Sequence, residues 1–121
     1  MAMSAKAMIP ALVLGTLLQV AMVVIGHYTV AVASLFAPLG MAISLIAGFL
    51  YARWARGSRR DSVLGGAIVG GVCAVIGIVV SHALGDVPVS LLFLGTLSSV
   101  FTGAIGGLIG EVVGGSSHAA A

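Results

Sequence analysis

Four apolar runs, separated by short polar breaks, set the pattern of this chain. They extend from about Met8 to Gly26, Val30 to Ala52, Ser62 to Leu84 and Val89 to Val113. Each is close to the roughly 20 residues a helix needs to cross about 30 Å of hydrocarbon. Hydrophobicity is continuous within the runs rather than alternating, which predicts helices and speaks against a transmembrane barrel. The breaks, "HYT", "RWARGSRRD" and "GDVP", are short, so consecutive helices should be antiparallel neighbours. The expected fold is an all-α membrane protein: a compact antiparallel bundle of four transmembrane helices with short connections. Residues 1–115 form its single domain, and residues 116–121 read as a flexible cytoplasmic tail.

Composition removes the soluble alternative. Of 121 residues, 60% are hydrophobic and 7% charged, against about a quarter charged in a soluble domain. The lipid bilayer is therefore the expected solvent. Four of the five basic residues, Arg53, Arg56, Arg59 and Arg60, fall in one break. The positive-inside rule places that loop, Arg53–Asp61, on the cytoplasmic side of an inner membrane, with both termini beside it. Tyr51 and Trp54 then read as interfacial anchors on that side and Tyr28 on the other. Asp61 is placed to cap the third helix, and Asp86 to cap the fourth. A competing pattern, "MAMSAKAM" with an apolar run and then Ala31, Ala33 and Ser34, imitates a secretory signal and its cleavage site. Its apolar run is longer than the usual h-region, and cleavage would leave an odd three-helix remnant. A plain first span is the expectation.

Small residues recur at helical spacing. Gly66, Gly70, Ala74, Gly77 and Ser81 share a face of the third run, and Gly95, Ser99, Gly103, Gly106 and Gly110 a face of the fourth. In lipid such stripes let backbones approach and gain dispersion contact over a long surface. They predict tight packing of the third helix on the fourth, or of either on a second copy of the chain. A glycine-lined pore or sliding surface is the functional alternative. The phrase "LGTLLQV" (14–20) returns as "LGTLSSV" (94–100) on oppositely directed spans, the form of an inverted repeat. Chance is a rival explanation in a chain this rich in Leu, Gly and Val.

Polar residues inside the runs are the candidate sites. Gln19 lies near the middle of the first span, where an unpaired amide costs about 2–7 kcal/mol, so it must face the bundle. Ser99 and Thr102 of the fourth span and Ser44 of the second lie at comparable depth. Together they are either a polar clasp fixing helix register or a midplane site for a small polar or ionic solute. No titratable carboxylate lies at that depth, as a proton-coupled antiporter would need. His27, His82 and Asp86 should share the outer boundary, where they serve as interfacial groups or as a metal or proton site. Their spacing is not that of a known metal motif, so no metal is assigned.

The remaining residues invite simpler expectations. Glu111 should pair with Lys6, Arg56 or Arg59. Cys73 should act as a small apolar packer, with no disulfide partner in the chain. Pro38 should kink the second span, and His118 in the tail reads as incidental. No nucleophile–base pair or phosphate loop stands out, so neither enzymatic activity nor a cofactor is expected. The one basic segment is too small to grip nucleic acid.

The residues support two functions. The first is a small polytopic inner-membrane protein with a structural or accessory role, as a homo-oligomer or bound to a membrane protein partner. The second is a minimal channel or transporter, with Gln19, Ser44, Ser99 and Thr102 at its midplane and His27, His82 and Asp86 at its mouth.

Overall fold

The computed structural model describes residues 4–114, which are helical throughout their length apart from short connections. The tail expected at 116–121 lies outside the described residues. Five helices follow in order: α1 (Ala5–Tyr28), α2 (Val30–Ala33), α3 (Phe36–Ala55), α4 (Arg59–Ala83) and α5 (Ser90–Val113). Of these, α1, α3, α4 and α5 are long and apolar enough to cross a membrane.

The second apolar run is not one helix. It turns at Ser34–Leu35, leaving α2 as a single turn, and Val30 is 85% exposed. That turn falls where Pro38 acts: its ring crowds the Ser34 carbonyl four residues earlier and offers it no N–H, so the expected kink is a full break. Within α3, Pro38 is the third residue after the N-cap Leu35, where a missing N–H costs the new helix nothing. Ser4 begins α1, its Oγ accepting from the Ala7 amide at 3.3 Å. The start of α4 differs from the expectation. Ser58, not Asp61, is the N-cap, its Oγ accepting from the Asp61 amide at 3.1 Å. Asp61 instead lies in the first turn, where a carboxylate suits the positive end of the helix dipole. At the other end of α4 the Asp86 amide donates back to the Ser81 carbonyl at 3.0 Å across Gly85, whose φ is +82°. That left-handed residue is why glycine closes the helix. Asp86 caps nothing on α5, whose N-cap is Val89 with no side-chain bond.

Residue pairings give the helix directions. Tyr51 meets Asp61 while Ser44 meets Gly70, so α3 and α4 run antiparallel. Gly66 opposes Gly107 while Ile78 opposes Gly95, so α4 and α5 do too. The α1–α4 pair, joined at Gly15–Cys73 and Gln19–Gly77, runs parallel. α1 packs on α3 and α4, and α5 packs on the same two, most extensively on α4. α1 and α5 thus flank a central α3–α4 pair.

The packing is inverted relative to a protein in water. Buried positions hold Ala7, Ala11, Ala47, Ala52, Ala74 and Cys73, together with glycines and serines. Large side chains such as Leu17, Val30, Phe93, Leu94 and Phe101 point outward. Small residues inside allow backbones to touch. A Cβ on Gly66 would strike the Gly103 carbonyl, and one on Gly107 the Ser62 carbonyl. α5 uses two faces in this way: Gly103 and Gly107 meet α4, while Gly106 and Gly110 meet the Leu45 and Phe49 carbonyls of α3. The stripes expected to join the third and fourth spans therefore join three helices within one chain. Gly77 serves yet another contact, against Gln19 of α1.

Candidate functional site: a cavity between two polar ties

The buried face of α1 repeats every fourth residue, at Ala7, Ala11, Gly15, Gln19 and Val23, as a helix seated along a groove requires. This places Gln19, 3% exposed, against α3 and α4. Its Nε2 donates to the Gly40 carbonyl at 3.0 Å and to Ser44 Oγ at 3.3 Å, with Cys73 Sγ 4.0 Å away. The Gly40 carbonyl can only accept, so the amide nitrogen must face it. Ser44 Oγ in turn donates to the Gly70 carbonyl at 3.0 Å. One amide and one hydroxyl thus tie α1 to α3 and α3 to α4. Of the four residues expected at mid-depth, Gln19 and Ser44 bond directly, and Ser99 lines the same cavity as Gln19. Thr102 does not join them. Its Oγ1 turns back to the Ser98 and Ser99 carbonyls of its own helix, both at 3.2 Å. Cys73, fully buried, sits beside this tie as well as packing.

From Gln19 towards the His27 end of the bundle lies a cavity of about 160 Å³, lined by α1, α3, α4, α5 and Val87 of the connection. Its walls include Met22, Phe36, Met41, Ile78 and Leu91. The hydrogen bonds between α3 and α4, Ser44–Gly70 and Tyr51–Asp61, lie at and below the level of Gln19, towards the arginine end. Above that level the same helices contribute Ala37, Gly40, Ala74 and Ser81 to a shared wall.

The connection that closes this end is held by two histidines in different ways. His27 Nδ1 lies 2.8 Å from Asp86 Oδ2, joining the end of α1 to the α4–α5 turn, with both side chains partly exposed. His82 Nδ1 donates instead to the Val87 carbonyl, also at 2.8 Å. The expected outer trio is therefore a pair plus a separate brace. Among the described residues, no three of His, Cys, Asp and Glu gather as metal ligands.

The opposite end contains a link that sequence reading missed. The Ser4 amide donates to Tyr51 Oη at 3.2 Å, and the Tyr51 hydroxyl donates to the Asp61 carboxylate, 3.1 and 3.2 Å from its two oxygens. Tyr51 is not a lipid-facing anchor: it is fully buried, its ring lying where Gly65 has no side chain. Trp54 and Tyr28 do lie exposed. Glu111 meets Arg59 Nε at 2.9 Å, one of the three pairings anticipated. The signal for the Tyr51 link was Asp61 itself, a carboxylate at the edge of an apolar run that needed a buried donor. No known protein family, curated protein or solved structure matches the chain.

Proposed function

We propose that this is a multi-pass inner-membrane protein with an accessory role, acting as a self-associating bundle or as a subunit of a larger membrane assembly. In this reading both termini and the Arg53–Asp61 loop face the cytoplasm. The observation that carries it is the inverted packing: glycine, alanine and serine inside, and leucine, isoleucine and phenylalanine outside. Water would reverse that distribution, whereas hydrocarbon tolerates it because close backbone packing and interhelical hydrogen bonds then hold the bundle. The polar groups are spent the same way. Gln19, Ser44, Tyr51 and Asp61 bond between helices, which favours a scaffold over a reacting centre.

Because Gly106 meets the Leu45 carbonyl of its own chain, Gly106→Leu would disrupt the fold before it could report on assembly. The test is native mass spectrometry of the full chain released from nanodiscs made of its source membrane. A dimer or a complex with another membrane protein is expected. A uniform, partner-free monomer would remove the accessory reading.

The cavity favours the second reading, a minimal channel or transporter, since it reaches from the histidine end to Gln19. Below Gln19 the helices are in backbone contact at Gly66, Gly70 and Gly103, so conduction requires those contacts to part.

A further inference from the structure

Gln19 is only half satisfied. Its Nε2 is used by Gly40 and Ser44, while no donor among the described residues reaches its Oε1. That oxygen lies between two glycines: a Cβ on Gly40 would be 3.5 Å from it and one on Gly77 3.6 Å. Of the two, Gly40 lines the cavity, whereas Gly77 packs on Gln19 Cβ, to which an added Cβ would come within 2.9 Å; the acceptor belongs to a residue that is 3% exposed.

The chemistry of the walls narrows what could fill the space. No charged side chain lines the cavity, so an ion has no counter-charge there. Three serines reach it. Ser98 already donates to the Leu94 carbonyl, Ser81 Oγ is enclosed without a partner, and Ser99 is 4% exposed. Gln19, Ser81, Ser98 and Ser99 offer a water polar partners, but the rest of the lining is apolar, and an apolar cavity of about 150 Å³ accepts benzene. The space is open on one side, past the exposed Ala37, Met41 and Leu94, and at about 160 Å³ it has room for a hydrocarbon body of that size beside the unpaired Oε1.

We propose that the cavity binds a small neutral hydroxyl compound with a body of about six carbons, a phenol or comparable alcohol, whose hydroxyl donates to Gln19 Oε1. The hydrocarbon fills the wall of Met22, Phe36, Met41 and Ile78, and the hydroxyl completes the amide. This site is independent of the accessory role, since assembly and ligand uptake are read by separate measurements.

The test is fluorine NMR of the full chain in nanodiscs of phosphatidylethanolamine and phosphatidylglycerol, titrated with 4-fluorophenol or fluorobenzene and corrected with protein-free discs. Wild type should take up fluorophenol saturably and about fivefold more tightly than fluorobenzene, the ratio one hydrogen bond supplies. Gln19→Met should level the two probes. Ala37→Leu, at an exposed position on the cavity wall that leaves the Gln19 tie intact, should weaken both. Equal uptake of the two probes by wild type would mean a plain apolar void or an acyl-chain pocket and would overturn the proposal. So would the absence of saturable uptake, or fluorophenol binding unchanged in Ala37→Leu. Should Gln19→Met fail to fold, the wild-type ratio and Ala37→Leu decide alone.

Discussion

The two ends of this bundle are built on different principles. At the arginine end, α3, α4 and α5 meet backbone to backbone, and the Ser4–Tyr51–Asp61 chain ties the starts of α1 and α4 to the end of α3. At the histidine end the helices are spaced by larger side chains around a cavity, and the closing tie is a partly exposed His27–Asp86 pair. Glycine marks the difference only when its neighbour is considered. A Cβ on Gly103 would strike the Gly66 carbonyl, which cannot move without its helix. A Cβ on Gly95 would come 2.7 Å from Ile78 Cδ1, the free end of a flexible chain. Gly103 is thus held by backbone and Gly95 only by the end of a flexible side chain, and the cavity lies in the half that contains Gly95.

The same substitution made in both halves tests this contrast, and its largest effect is expected at the arginine end. Gly103→Ala should destabilise the bundle by about 3 kcal/mol, because overpacking against backbone outweighs alanine's better helix propensity. Unfolding in mixed micelles by increasing denaturing detergent would measure it. A wild-type midpoint for Gly103→Ala would mean the backbone contacts are not what holds that end. Next in size, Tyr51→Phe should cost about 2 kcal/mol in the same assay, since it removes a hydroxyl donor from a buried carboxylate. Tyr51→Phe with unchanged stability would show that Asp61 finds another donor. The smallest effect is expected at Gly95→Ala, within about 0.5 kcal/mol of wild type, because Ile78 can rotate away and the helix gains by propensity. A large loss there would erase the distinction between the halves.

Several features were legible before any packing was known. Four long apolar helices follow from run length alone, and the directions of consecutive long helices from the short breaks between them. Gln19 had to be paired, and Ser44 was among the partners named, because the cost of an orphaned amide in an apolar setting does not depend on the fold. The Arg59–Glu111 pair was likewise one of a few geometrically reasonable choices. Pro38 marked the place but not the outcome: its ring and missing N–H act on the Ser34 carbonyl four residues earlier, and there the run breaks instead of bending. Tyr51 misled because an aromatic residue near an arginine cluster reads as an interfacial anchor unless it is known that Gly65 leaves space for its ring.

The number and length of the long helices, the polarity of their connections and the small-residue stripes could be read from the chain alone. All of these depend on local composition and on period along one chain. Which stripe met which was settled by packing. It turned Gly106 and Gly110 to α3 and Gly77 to Gln19, separated His82 from the His27–Asp86 pair, and left one acceptor of Gln19 beside a cavity. Helical spacing specifies a face, but the rotation that aims this face at a particular neighbour is set by all four long helices packing at once.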